Sequence, residues 1–292
     1  MTEILNTLRY HDVAISAAWL QDWSGVNVDN FGERVEWNWQ LDSNRYPRWN
    51  ELAQDVRLMT YINPYLANNM YGRQGRNLFQ EASELGYLIR NSSGHPYILA
   101  SGTANFTFGT IDFTNPDAAS WYSNVIRCNM LGLRESCTAN TTEPNVTGSF
   151  GWMADFGEYV PFDAVLHDGA SPSTIHNRFP ELWAKVNRDA VGDNNDIVFF
   201  MRSASLKSPG LARLFWAGDQ LVSWDDHDGL KTVMRAHMSA GMSGMTLSHS
   251  DCGGYTMINV TKKLPLFTKT NVTIEVSLRY VLVASFRGAL PI

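Results

Sequence analysis

The sequence predicts an α/β fold, a (β/α)8 barrel that is incomplete, with about six of its eight strands recognisable. Three observations carry that prediction. Short apolar runs recur along the chain, and each ends in polar or acidic residues. Helix-like segments with start and stop signals lie between them. Chemically capable side chains gather just after the runs, at the end where such a barrel builds its site. A doubly wound sheet shares the alternation, but no G-x-G-x-x-G follows any of the runs.

The runs are VAISAAWLQDW (13–23), VRLMTYINPY (56–65), FGWMADFGE (150–158), DIVFFMRSA (196–204), ARLFWAGDQ (212–220) and GMTLSHSDCGG (244–254). They are rich in β-branched and aromatic residues and do not alternate cleanly, as expected of strands buried on both faces of a parallel sheet. The chain opens on TEILNTLRYHD, which reads as the end of a helix. QEASELG is a short helix stopped by Gly86. NPDAASWYSNVIRCNM has Asn115 placed as an N-cap and Pro116 at the first helical position. FPELWAKVNRDAVG starts with Pro180 and stops at Gly192, and SWDDHDGLKTVMRAHMSAG follows with Ser223 as its cap. Residues 134–149 read as an inserted polar loop and 261–292 as a divergent tail, so the partial barrel is expected over residues 1–260.

Composition narrows the function. The chain has 292 residues, 44% hydrophobic and 18% charged, enough apolar content for a large core. The net charge of −6 without a basic run speaks against a nucleic-acid partner. No apolar run is long enough to span a bilayer, and no signal peptide stands at Met1. Sequons at Asn91, Asn105, Asn140, Asn145, Asn259 and Asn271 point to a glycoprotein of the secretory pathway, lysosomal or extracellular, whose leader is missing here. Cys128, Cys137 and Cys252 contain no CxxC, so neither zinc nor a disulfide framework is indicated. Cys128 and Cys137 are near enough in sequence to pair in an oxidising compartment, and buried free thiols are the alternative. Ten Trp and eleven Tyr suit a carbohydrate cleft, but a large core uses them too, and the core reading leads.

Two acids sit where chemistry is expected. Asp155, in GWMADFGEY, and Asp219, in FWAGDQ, each end an apolar run in aromatic surroundings. Taken singly, each reads as an N-cap or a salt-bridge partner. Taken as a pair on one barrel face, they match what glycoside hydrolysis needs, one ionised carboxylate and one protonated acid. Glu158 reads as a support for a neighbouring donor. His249 is either a satisfied core histidine or a sugar ligand.

GWMADFGEYVP, WAGDQ and HSDCGGY together resemble glycoside hydrolase family 31, the retaining α-glycosidases, over roughly residues 5–258. The resemblance implies Asp155 as nucleophile, Asp219 as general acid/base and Arg202, in FFMRSAS, as a ligand of sugar hydroxyls. Trp216 and His249 join the substrate-binding set. WLQDWSGVNVDNFGERVEWNW is similar to the sulfoquinovosidase branch of the family, which cleaves α-glycosides of a 6-sulfonated glucose. Gln21, Arg34 and Trp37 fall on that branch's marker positions, and Tyr255 on the tyrosine that assists the sulfonate through water. The chemistry suits these roles. A sulfonate is a permanent anion, Arg a permanent cation with a fork of donors, and the indole N–H a donor without an acceptor. The resemblance implies a carbohydrate substrate and no cofactor or metal. Against the family pattern, the N-terminal β-sandwich and first barrel strand are missing. An ordinary α-glucosidase of the same family and a truncated, inactive member are the alternatives.

Overall fold

In the computed structural model the described residues are 2–29, 32–68, 76–100, 106–133, 135, 137, 149–251, 254–255, 257–258 and 267–268. The chain divides into two compact units, Met1–Phe199 with Ser203–Leu211, and Phe200–Arg202 with Ala212–Ile292.

The first unit begins with α1 (Thr2–Tyr10) and β1 (Ala18–Trp19). A hairpin follows, β2 (Val26–Asp29) and β3 (Gly32–Val35), in which Asn27 faces Arg34. Then come α2 (Trp49–Asp55), β4 (Leu58–Ile62), β5 (Tyr65–Ala67), α3 (Leu78–Glu84), β6 (Ile98–Ala100), β7 (Thr107–Thr110), α4 (Pro116–Asn129), β8 (Ser149–Ala154), α5 (Pro172–His176), α6 (Phe179–Val191) and β9 (Val198–Met201). Its parallel strands lie in the order β1-β4-β8-β9, and β5-β7-β6 forms a small antiparallel sheet. In the second unit β10 (Leu214–Trp216) pairs in parallel with the end of β9 and with β11 (Leu247–His249), with α7 (Leu230–Met242) between them in sequence. A two-residue antiparallel pair, β12 (Met257–Ile258) and β13 (Phe267–Thr268), completes the described elements.

In both units each new parallel strand is added beyond the previous one, with no reversal of order. A doubly wound sheet requires such a reversal. The succession is that of a barrel sheet, and the six apolar runs supply its six strands. β4 and β8 are buried almost throughout. Trp152 of β8 stacks on Phe199 of β9 at 5.9 Å and donates its indole N–H to Asn187 of α6 at 2.7 Å. Gly151 permits this close approach: a Cβ there would stand 1.9 Å from the Val198 carbonyl oxygen.

The helices cover the sheet through aromatic faces. Phe113 lies parallel to Trp183 of α6 at 5.5 Å, and Ser123 of α4 donates to the Val186 carbonyl at 2.9 Å. Asn115 caps α4 by accepting from the Asp117 N–H, with Pro116 at the first helical position, as the sequence predicts. Such a cap stabilises a helix by about 1 kcal/mol. α6 begins one residue before Pro180 and ends at Gly192. α7 is a correction. It starts at Leu230 and not near Ser223, because Asp225 accepts from the N–H groups of His227 and Asp228. Those bonds hold a turn that competes with helix. Seven of the tryptophans, Trp23, Trp37, Trp39, Trp49, Trp152, Trp183 and Trp216, are buried.

Cys128, at the end of α4, is joined to Cys137 by a disulfide with Cα atoms 5.0 Å apart. Cys252, most of the 134–149 insertion and most of the 261–292 tail lie outside the described residues, as do Asn105, Asn140, Asn145, Asn259 and Asn271. No helix among the described residues is long and apolar enough to cross a membrane.

Candidate active site

Asp155 follows the last residue of β8 and is 8% exposed. Its backbone N–H continues the ladder to the Ile62 carbonyl at 2.8 Å, and its carbonyl accepts from the Trp183 indole at 3.1 Å. Each carboxylate oxygen has its own donor. The Tyr61 hydroxyl donates to Oδ2 at 2.6 Å and the Phe156 N–H to Oδ1 at 2.7 Å. The second bond needs an unusual backbone. Phe156 has φ +58° and Gly157 φ +104°, and the Phe156 carbonyl is tied to the Ser203 hydroxyl at 2.6 Å. Left-handed φ at a bulky residue is costly and persists only where neighbours impose it. Here the result turns a backbone donor onto the preceding carboxylate.

Aromatic contacts lead from Asp155 to two other predicted residues. Phe156 meets Trp37 edge-on at 5.6 Å, and Trp37 also packs edge-on against Phe106 at 4.9 Å and Phe108 at 4.8 Å. The Arg34 guanidinium lies over the Phe106 ring at 5.8 Å. Arg34 and Trp37 therefore share Phe106, and Trp37 shares Phe156 with the strand end that carries Asp155. Trp39 is fully buried and donates to the Tyr65 carbonyl at 3.0 Å, a core contact. Gln21 is half-buried in the turn after β1, beside Asp22 and Trp23. Glu158 is half-buried just past Asp155.

The second unit holds the remaining residues. Trp216 and His249 are register partners at the ends of β10 and β11, and the Phe200 ring meets both edge-on, at 5.5 and 5.1 Å. Trp216 is 4% exposed, and its indole N–H has no hydrogen-bond partner among the described residues. Burial lowers the pKa of His249 and so favours its neutral ring, with a Ser250 backbone hydrogen bond acting in the opposite sense. Asp219 is exposed in the loop after β10. Next to it, Gln220 is buried, donates its amide to the Gly218 carbonyl and accepts the Tyr255 N–H on its backbone at 2.8 Å. Tyr255 is 40% exposed and Arg202 half-buried after β9. Among the described residues no cluster of His, Cys, Asp and Glu could hold a metal ion.

The first unit thus brings Asp155, Trp37 and Arg34 into one chain of contacts, and the second gathers Trp216 and His249 around Phe200. Sequence reading missed Tyr61, Phe106, Phe156 and Trp183. Tyr61 and Phe156 lie inside quoted runs, but nothing in the local pattern marks them. Their significance lies in which neighbour they face.

Comparison with known proteins gives the family of the chain. The family described as "Glycosyl hydrolases family 31 TIM-barrel domain" matches residues 1–288. A sulfoquinovosidase of Escherichia coli K12 is 40% identical over 269 residues, which cover 89% of this chain and 36% of that protein. A sulfoquinovosidase of Agrobacterium fabrum is 37% identical over 263 residues, 87% of this chain and 36% of that protein. Among solved structures, a family 31 sulfoquinovosidase from E. rectale, in complex with an aza-sugar inhibitor, has a TM-score of 0.81 and 35% identity. It covers 98% of this chain, which spans 39% of it. The chain therefore spans little more than a third of the length of the relatives it matches.

Proposed function

Because the chain belongs to glycosyl hydrolase family 31, we propose that it carries catalytic machinery of a retaining α-glycosidase whose substrates are α-sulfoquinovosides. The observation that carries this reading is the Asp155 carboxylate. It is buried at a strand end, with a separate donor on each oxygen, and linked through Phe156 to the Trp37–Phe106–Arg34 cluster. A buried carboxylate supplied with two donors is stabilised as the anion, the form a nucleophile needs.

In the first step an Asp155 oxygen bonds to the anomeric carbon as the bond to the leaving oxygen breaks, and Asp219 delivers its proton to that oxygen. In the second, Asp219 takes a proton from water, whose oxygen bonds to the anomeric carbon and returns Asp155 as the carboxylate. Arg34 and the Trp37 indole hold the sulfonate, with Tyr255 acting through water. Gln21 and Arg202 hold sugar hydroxyls. The unpartnered N–H of Trp216 and the neutral ring of His249 suit a ligand rich in hydroxyl groups.

Hydrolysis of a chromogenic α-sulfoquinovoside and the matching α-glucoside tests the assignment. A preference for the sulfonated substrate is expected. Equal rates would favour the ordinary α-glucosidase, and no turnover of either would favour the inactive reading. We also propose maturation in the secretory pathway, supported by the Cys128–Cys137 disulfide and the sequons.

A further inference from the structure

We propose that Tyr61 is a positioning residue that holds Asp155 ionised and aimed, and that Asn63 fixes the direction of its hydroxyl. This rests on the reading of Asp155 as nucleophile. Asn63 is fully buried. Its Oδ1 accepts from the Tyr65 N–H at 3.0 Å. That bond settles which end of the amide is oxygen, so Nδ2 faces the Tyr61 hydroxyl, at 3.2 Å. An amide nitrogen only donates. The Tyr61 oxygen accepts this bond, and its single proton points to Asp155 Oδ2, 2.6 Å away.

Both residues are fixed from behind. The Tyr61 carbonyl accepts from the Trp23 indole at 2.7 Å, and the Asn63 carbonyl from the Tyr122 hydroxyl at 2.5 Å. Tyr61 is 2% exposed, so water does not compete for its proton. The Phe156 N–H holds the other oxygen, with the Trp183 indole and the Ser203 hydroxyl securing the backbone around it. Tyr61 acts through Asp155, because its own side chain is buried. It keeps charge on the carboxylate before attack, and it stabilises the charge that returns when the glycosyl ester is cleaved.

The test is a pH titration of the Asp155 carboxyl carbon by NMR on the whole chain, labelled at aspartate and assigned by comparison with Asp155→Asn. Tyr61→Phe removes one hydroxyl and keeps the ring. Its midpoint should rise by about one pH unit or more, because a donor to the charged form is lost. Asn63→Ser keeps an acceptor for Tyr65 but frees the Tyr61 hydroxyl, and should shift the midpoint less, in the same direction. It serves if the first variant does not fold. An unchanged midpoint overturns the proposal. The readout needs no substrate, so the two ideas separate. A raised midpoint in a chain that cleaves no glycoside keeps the role of Tyr61 and removes the nucleophile. Turnover with an unmoved midpoint removes Tyr61 and keeps the nucleophile.

Discussion

Asp155 and Asp219 both follow a parallel strand, yet their settings are opposite. Asp155 is buried, its two carboxylate oxygens and both backbone polar atoms engaged by named partners. Asp219 is exposed in the loop after β10, beside the buried Gln220. The contrast fits the work proposed for each. A buried group that must stay ionised depends on its donors, because exclusion of water by itself favours the neutral acid. A group that must give and take a proton in each cycle needs access to one. The surrounding aromatic residues differ as well. Those of the first unit link Asp155 to a cation through Trp37 and Phe106. Those of the second frame the Trp216–His249 pair around Phe200.

The contrast breaks most sharply at the nucleophile. Asp155→Asn keeps the shape and removes the charge, so kcat should fall by roughly 10⁴-fold or more, with sugar binding measured by calorimetry largely retained. Full activity in that variant would remove the assignment. Next is the cation. Arg34→Ala should lower kcat/KM for a sulfonated glycoside by roughly 10- to 100-fold, the scale of a lost charge-assisted hydrogen bond, and change the plain glucoside far less. Equal losses on both substrates would show that Arg34 supports the fold and not the sulfonate.

A smaller effect is expected behind Asp155. Gly157→Ala places a Cβ 2.8 Å from the Ser203 hydroxyl oxygen at φ +104°. It should cost about 2 kcal/mol, read as a fall in Tm of several degrees. An unchanged Tm would mean that this turn relaxes freely. The smallest effect concerns His249. Burial lowers its folded pKa below the ordinary value, so the unfolded chain binds the proton more readily. Its contribution to stability is fully present above about pH 6.5 and is lost as pH falls through the folded value. His249→Gln should flatten the dependence of Tm on pH in that window. An identical slope would assign the dependence to other groups.

Much of the fold was legible because its signals are local. The six apolar runs became the six parallel strands, and the Asn115–Pro116 and Gly192 signals marked helix ends. The α7 start was misplaced because Asp225 competes for backbone donors that a helix pattern assumes are free. The core assignment of most tryptophans followed from composition, but not which one would face the site. Trp37 and Trp39 are two residues apart, and one joins the Asp155 surroundings while the other holds the Tyr65 carbonyl.

The sequence by itself determined the alternation of strands and helices, the places where acids follow strands, and the family. These are encoded in apolar periodicity and in short motifs that need no partner to be read. Only the tertiary structure decided that Cys128 pairs with Cys137, that Arg34 and Trp37 meet on Phe106, and that Tyr61 donates to Asp155. Each of those joins residues that do not adjoin in the chain. Strand register and side-chain direction bring them together, and neither leaves a mark in the local text.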